Sequence, residues 1–429
     1  MMIDRSQPPA LRQFGEVKLT FPPRQVFTNG IQYWAVTGAA TDINRLSIYV
    51  RGGSLHEHKP MLAALTALLL LEGSRERNAQ QIAERLDHYG AWKTAQCHDT
   101  HTEVGLSSLN SNYDSTLPIV MDCIENPTFP VSQLEVLKRR YAATCAMQRE
   151  RVKVLAEDEM RRLYYGDGHP LARTVTPEGI MNVTLDDVKG FYRRYYSPAN
   201  CSAVLSGNVV HDILRVTDRC LGGWKRDGIA DKDVDWRPKP SSQMLSVVHK
   251  PGAVQAAVVM TLPAVLRSHP DYLALRFAVT LLGGYFGSRL NRNIREQKGL
   301  TYGIQSYLAG MVHDAHIAIS TECAPQYVKQ VIAEVRHEMR RLCQEPASAA
   351  EMETVRQHMI SDMVKTLDTP FTLASYVSST LLYGVYAEYF NDQMATVQSM
   401  TTERLIEVAQ KYLRPDDLRI VVAGDEQLL

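Results

Sequence analysis

The stretch Thr184-Leu185-Asp186-Asp187-Val188 opens a helix-period pattern that ends at Tyr195; Pro198, the apolar run Ala203-Val204-Leu205 and Gly207 follow. Later in the chain Thr401-Thr402-Glu403-Arg404-Leu405 leads in the same way to Tyr412, Pro415, Ile420-Val421-Val422-Ala423 and Gly424. The offset is 217 residues at each landmark. A spacing that holds over several landmarks marks an internal repeat, because unrelated helix–strand units would drift apart. Thr184 and Thr401 are suited to cap their helices, with acidic residues in the first turn favouring the positive end of the helix dipole.

Other segments pair at slightly different offsets, as loop changes would cause. The strand around Val104 and Leu106 answers the one around Ile317 and Ile319, and both precede helical patterns. In the second of these Val328, Val331, Ile332, Val335, Met339 and Leu342 fall at helix spacing. Leu46-Ser47-Ile48-Tyr49-Val50 alternates, as a strand in a sheet with one face covered would. The expected fold is therefore α+β: two homologous domains, each a mainly antiparallel sheet with helices packed on one face. The charged stretch 224–243, with Arg237-Pro238-Lys239-Pro240-Ser241-Ser242, reads as the linker between domains at 1–223 and 244–429.

Composition narrows the function. Apolar residues make up 45% of the 429, enough for sizeable cores. Lys+Arg and Asp+Glu balance at 47 each, so no net basic field exists to hold nucleic acid or an anionic membrane. The longest apolar stretch, Met61 to Leu71, is too short to span a bilayer and fits a buried helix. Seven scattered Cys without a Cys-x-x-Cys point to reduced thiols in a cytoplasmic protein; a periplasmic protein whose leader has been removed is the alternative.

The order of motifs resembles the pitrilysin/insulinase family of zinc peptidases, which includes the mitochondrial processing peptidases and small bacterial members. The resemblance runs over about residues 25 to 425. It rests on the turn Arg51-Gly52-Gly53-Ser54, the apolar helix from Leu62 to Leu71 closed by Glu72-Gly73-Ser74, and the turn His88-Tyr89-Gly90-Ala91. Asn126-Pro127-Thr128-Phe129-Pro130 and Gly168-His169-Pro170 continue it. The most specific piece is Phe286-Gly287-Ser288-Arg289-Leu290 followed by Arg295-Glu296-Gln297-Lys298-Gly299-Leu300-Thr301-Tyr302-Gly303.

In active members the helix carries His-x-x-Glu-His, two imidazoles on one face for Zn²⁺ with the Glu as general base. The resemblance places Ala64 and Leu68 at the His positions, Ala67 at the Glu position, and Cys145 at about the distal Glu ligand. None but the Cys can bind metal, so no zinc or other cofactor is expected in this chain. His56-Glu57-His58 and His98-Asp99-Thr100-His101 are the other clusters with metal-ligand chemistry, and solvated loops are the plainer account of both. No Gly-x-Ser-x-Gly, dinucleotide fingerprint or activated Cys is present.

Arg295 and Tyr302 remain. The resemblance gives the Tyr hydroxyl to a developing oxyanion and the Arg to a substrate backbone carbonyl; the plainer alternative is an exposed Arg and a core Tyr. Some bacterial members work as two chains, one with the zinc motif and one with the Arg/Tyr pair. The resemblance thus implies a non-catalytic subunit of a heterodimeric peptidase. Its partner would be a homologous zinc-bearing subunit, its substrate a peptide, and neither nucleic acid nor membrane insertion is expected. A structural or assembly role, as in peptidase-like core subunits of respiratory complexes, is the alternative. An independent hydrolase finds no constellation to support it.

Overall fold

The computed structural model describes residue 15 and residues 17–38, 42–228 and 236–425. Two sheets organise them. The first joins β1 (Gln25–Val26), β2 (Gln32–Thr37), β3 (Ile43–Arg51), β4 (Trp92–Cys97), β5 (His101–Leu109) and β6 (Cys201–Gly207) in the order β1-β2-β6-β3-β5-β4. The second joins β7 (Leu245–His249), β8 (Ala256–Pro263), β9 (Thr301–Gly310), β10 (Ala315–Cys323) and β11 (Arg419–Gly424) in the order β7-β11-β8-β10-β9. β2/β6 and β7/β11 pair in parallel and the other pairs are antiparallel. The orders match strand for strand apart from β1, so the repeat is a repeat of topology.

The landmark helices form as expected. Thr184 accepts from the amide of Asp187 at 3.2 Å, and Asp187 returns a bond to the Thr184 amide. Thr401 accepts from the amide of Arg404 at 3.2 Å. Gly207 sits at φ +113, where a Cβ would lie 2.2 Å from the carbonyl oxygen of Ile43, so the close of β6 admits only glycine.

Each half packs its own helices on one face of its sheet. Helices Leu62–Leu70, Tyr113–Glu125 and Leu185–Tyr195 meet Leu46, Ile48, Val104, Leu106, Ala203 and Leu205. Helices Tyr272–Val279, Val328–Gln344 and Thr402–Tyr412 meet Val258, Met260, Ile317, Ile319, Ile420 and Val422.

The opposite faces are covered too, by exchange. Helix Val152–Tyr165, from the first half, lays Val152, Ala156, Met160 and Leu163 on Ala257, Val259, Val421 and Ala423 of the second sheet. Helix Pro370–Leu382, its equivalent in the repeat, lays Ala374 and Val377 on Trp34, Val36, Tyr49 and Val204 of the first. Leu46 to Val50 alternates in the sequence, yet all five residues are buried because the second helix comes from the other half. Polar ties seal the junction: Tyr49 Oη donates to Ser378 Oγ at 2.8 Å, and Tyr164 Oη to Asp314 Oδ1 at 2.9 Å.

Of the stretch read as a linker, 229–235 lie outside the described residues. On its flanks, Trp224 is fully buried in the first core, and the amides of Lys239 and Ser241 bond the carbonyls of Tyr165 and Leu163 at 2.9 and 2.8 Å.

Exchange predicts that the halves unfold together. Leu342→Ala deletes a fully buried side chain of the second core and should cost about 2–5 kcal/mol. All four Trp (34, 92, 224 and 236) precede the second domain. In urea, their fluorescence midpoint should fall in step with the far-ultraviolet dichroism; separate midpoints would show that the exchanged helices do not couple the halves.

Candidate functional site

Helix Leu62–Leu70 starts abruptly. Met61 before it takes the left-handed conformation at φ 67, and the capping acceptor is Glu57, whose carboxylate takes the amides of Met61 and Ala63, both at 2.9 Å. Glu57 is only 9% exposed. Burial pushes its carboxyl up to about 7, against the lowering pull of those amides and of Arg173. Ala67 is completely buried, with Leu65, Thr66, Leu69 and Leu70 around it. Ala64 and Leu68, one turn apart, are the half-buried positions of the helix and share its open face. Cys145, on helix Val131–Arg149, directs Sγ to the carbonyl of Val175 at 3.4 Å, and burial raises its thiol above the ordinary value. Leu68 and Cys145 both pack at the rim of the first core.

The residues at these positions do not fit zinc: three are hydrocarbon and the fourth is a protonated thiol occupied with a carbonyl. The histidine clusters are engaged separately. His56 Nδ1 accepts from the Gly53 amide at 3.2 Å, whereas His58 Nε2 bonds Asp187 at 3.1 Å. His98 and His101 stack with centroids 4.5 Å apart, and burial pushes His101 down to about 3. No group of three or more His, Cys, Asp or Glu able to hold a metal ion occurs among the described residues.

In the second half the motif divides by direction. Arg289 pairs with Glu351 at 3.0 and 3.2 Å. Asn291 is buried, and its amide donates to the carbonyls of Ile304 and Tyr285 at 2.8 and 3.2 Å and to Ser288 Oγ at 3.1 Å. Asn293 donates to Glu338 and Glu334 at 2.7 and 3.0 Å. These side chains hold the segment Asn291–Gln297, wound as a π-helix, against β9 and helix Val328–Gln344; such widened turns are frequent at functional sites.

Arg295 and Tyr302 point the other way. Arg295 is half-buried and holds its guanidinium 4.1 Å over the ring of Phe286. Tyr302 is 93% exposed at the start of β9, the edge strand of the second sheet, and its hydroxyl has no hydrogen-bond partner among the described residues. The core-tyrosine alternative is thereby removed. The main packing partners of Asn291–Gln297 differ from those of Leu62–Leu70, which packs on helices Leu185–Tyr195 and Val131–Arg149 and on β4. Sequence reasoning passed over two residues here. Glu57 stood inside a histidine cluster and read as solvated, and Phe286 stood in a turn with no sign of its stacking on Arg295.

Comparison with known proteins decides the family. A family model described as insulinase (peptidase family M16) matches residues 35–173, and one described as the peptidase M16 inactive domain matches residues 182–359. The chain belongs to peptidase family M16. It is 24% identical over 408 residues to the uncharacterized zinc protease SCO5738 of Streptomyces coelicolor, covering 92% of this chain and 84% of that one. It is 21% identical over 386 residues to the non-peptidase homolog YmxG of Helicobacter pylori, covering 88% and 87%. The crystal structure of a peptidase M16 inactive domain from Pseudomonas fluorescens superposes with a TM-score of 0.86 at 21% identity, covering 94% of this chain and 98% of that one. Helix Leu62–Leu70 of this M16 chain carries no His, Cys, Asp or Glu. No helix among the described residues is long and apolar enough to cross a membrane.

Burial separates the three positions of the helix. Ala67→Glu places a charge at a completely buried position and should destabilise by at least about 1–3 kcal/mol. Ala64→His and Leu68→His, at half-buried positions, should cost less than Ala67→Glu. Melting temperatures of the single variants test the order, and a Glu at 67 that costs no more than a His at 64 contradicts it.

Glu57 adds a pH dependence. Folded, its carboxyl keeps a proton up to about 7; unfolded, only to the ordinary 4.5. Between these values the folded chain binds more protons than the unfolded chain, so this group makes stability fall as pH rises through that window. Glu57→Gln should remove that part of the slope in urea midpoints taken from pH 4.5 to 7.5, and an unchanged slope would count against the assignment.

Proposed function

We propose that this chain is the zinc-less subunit of a two-chain M16 peptidase and lends Arg295 and Tyr302 to the active site of a homologous, zinc-bearing partner. The observation that carries the reading is Tyr302: an aromatic side chain 93% exposed, with a hydroxyl unpartnered among the described residues, contributes little burial to its own fold. Its hydroxyl is available to donate to an oxyanion as charge develops on a scissile carbonyl, and the Arg295 guanidinium to hold a neighbouring backbone carbonyl of the peptide. Relatives of this chain carry both kinds of name, a zinc protease in Streptomyces coelicolor and a non-peptidase homolog in Helicobacter pylori.

The sheet edges suit an extended peptide. β4 and β9 are equivalent edge strands in the two halves, and an edge strand offers a row of backbone donors and acceptors that a peptide can extend by one strand. Tyr302 begins β9, so a peptide chain on that edge would pass the phenol.

The test is kinetics of the reconstituted pair. Tyr302→Phe removes only an exposed hydroxyl, so assembly by gel filtration and the partner's zinc content should not change. kcat should fall by something approaching the ~10²–10³-fold typical of a lost oxyanion donor. Arg295→Ala should raise KM as well, since its contact exists before the transition state. If Tyr302→Phe leaves kcat within about twofold, under 0.5 kcal/mol by transition-state arithmetic, the chain contributes shape alone and the structural or assembly role stands.

A further inference from the structure

We propose that Phe286 is a positioning residue: its ring is the platform that holds the Arg295 guanidinium outward, aimed at the peptide, in place of a carboxylate. The inference rests on the reading of Arg295 as a substrate-holding group.

A guanidinium on a flexible stem needs a support if it is to point one way. The usual support is an acid, but Arg295 has no carboxylate at ion-pair distance among the described residues, while nearby Arg289 and Arg292 bond Glu351 and the Gly287 carbonyl. The Arg295 guanidinium lies 4.1 Å over the centroid of Phe286 instead. The two kinds of support differ in chemistry. A carboxylate would occupy the N–H donors and cancel the charge, whereas a ring face attracts the cation and leaves the donors at its edge open to a carbonyl or carboxylate of the substrate.

Phe286 is itself held in place. It stands in a tight turn closed by the Ser288 amide on the Tyr285 carbonyl at 3.1 Å, and the buried Asn291 side chain bonds both Tyr285 and Ser288. The same Asn291 amide reaches the Ile304 carbonyl in β9, two residues beyond Tyr302. One side chain thus fixes together the turn of Phe286, the π-helical segment of Arg295 and the strand of Tyr302. Phe286 is 66% exposed, so its ring contributes little to the core and hydrophobic burial does not account for it.

The test has two arms. On the isolated chain, the Arg295 Nε–H resonance, assigned by its loss in Arg295→Lys, should be displaced upfield by the ring beneath it and return in Phe286→Leu; no displacement in the native chain overturns the platform. In the reconstituted complex, Phe286→Leu should raise KM about two- to fivefold, the equivalent of an exposed cation–π contact, with kcat unchanged. Phe286→Trp should restore KM, and Phe286→Leu should add nothing once Arg295 is Ala. An effect of Phe286→Leu that persists without Arg295 overturns the proposal, because the ring would then touch substrate itself. If Arg295→Ala leaves KM unchanged while the resonance displacement is present, the substrate-holding reading of Arg295 fails and the functional role of Phe286 with it, although the contact stands.

Discussion

Ala156 and Val377 are buried against sheets that belong to the other half of the chain, and the arrangement of everything else depends on that exchange. A mainly antiparallel sheet with helices on one face leaves the opposite face to water unless something covers it. Here each half lends one helix, and the two helices are equivalents in the repeat. Neither sheet is then complete without the other half, which welds two similar domains into one body. The polar ties at the seam, Tyr49 to Ser378 and Tyr164 to Asp314, need the same register and so select it.

That weld was the part of the fold least legible in the sequence. The repeat was legible because Thr184 and Thr401 each cap a helix through the amide three residues on, and Gly207 closes a strand where a Cβ has no room. The alternation of Leu46 to Val50 pointed to one covered face, and the face it pointed to is covered. What local periodicity cannot carry is which distant helix covers the other: Tyr49 reads as the solvent side of an amphipathic strand until Val377 arrives from the far end of the chain. The apolar helix Leu62–Leu70 was likewise legible as buried, but not the difference between sealed Ala67 and half-open Ala64 and Leu68, which arises from the shape of the rim.

That difference bears on the proposed reading, in which Ala64 and Leu68 stand where metal ligands would: both face an opening, as such positions must. The helix is nevertheless capped from outside, by Glu57 on the amides of Met61 and Ala63, so its start does not depend on any group in the opening. The support of this helix thus rests on Glu57 and not on the side chains that face the opening.

The second half separates inward-facing from outward-facing side chains in the same way. Within one short motif, Arg289, Asn291 and Asn293 turn inward and spend their donors on Glu351, Ile304, Glu338 and Glu334. Arg295 and Tyr302 turn outward, and their side-chain donors meet no acceptor among the described residues. The six positions between them cross the end of a π-helical segment and Gly299 at φ +63, where the chain turns into β9. A regular helix through that interval would set the two side chains about two turns apart on one face. The break at Gly299 instead puts one on a helix end and the other on a strand that the same Asn291 grips, so their relative position is fixed by buried hydrogen bonds rather than by either exposed side chain. Exposed donors held by a buried frame can be kept aimed at a partner before that partner arrives, and this preorganisation is what electrostatic catalysis requires of groups supplied from a second chain.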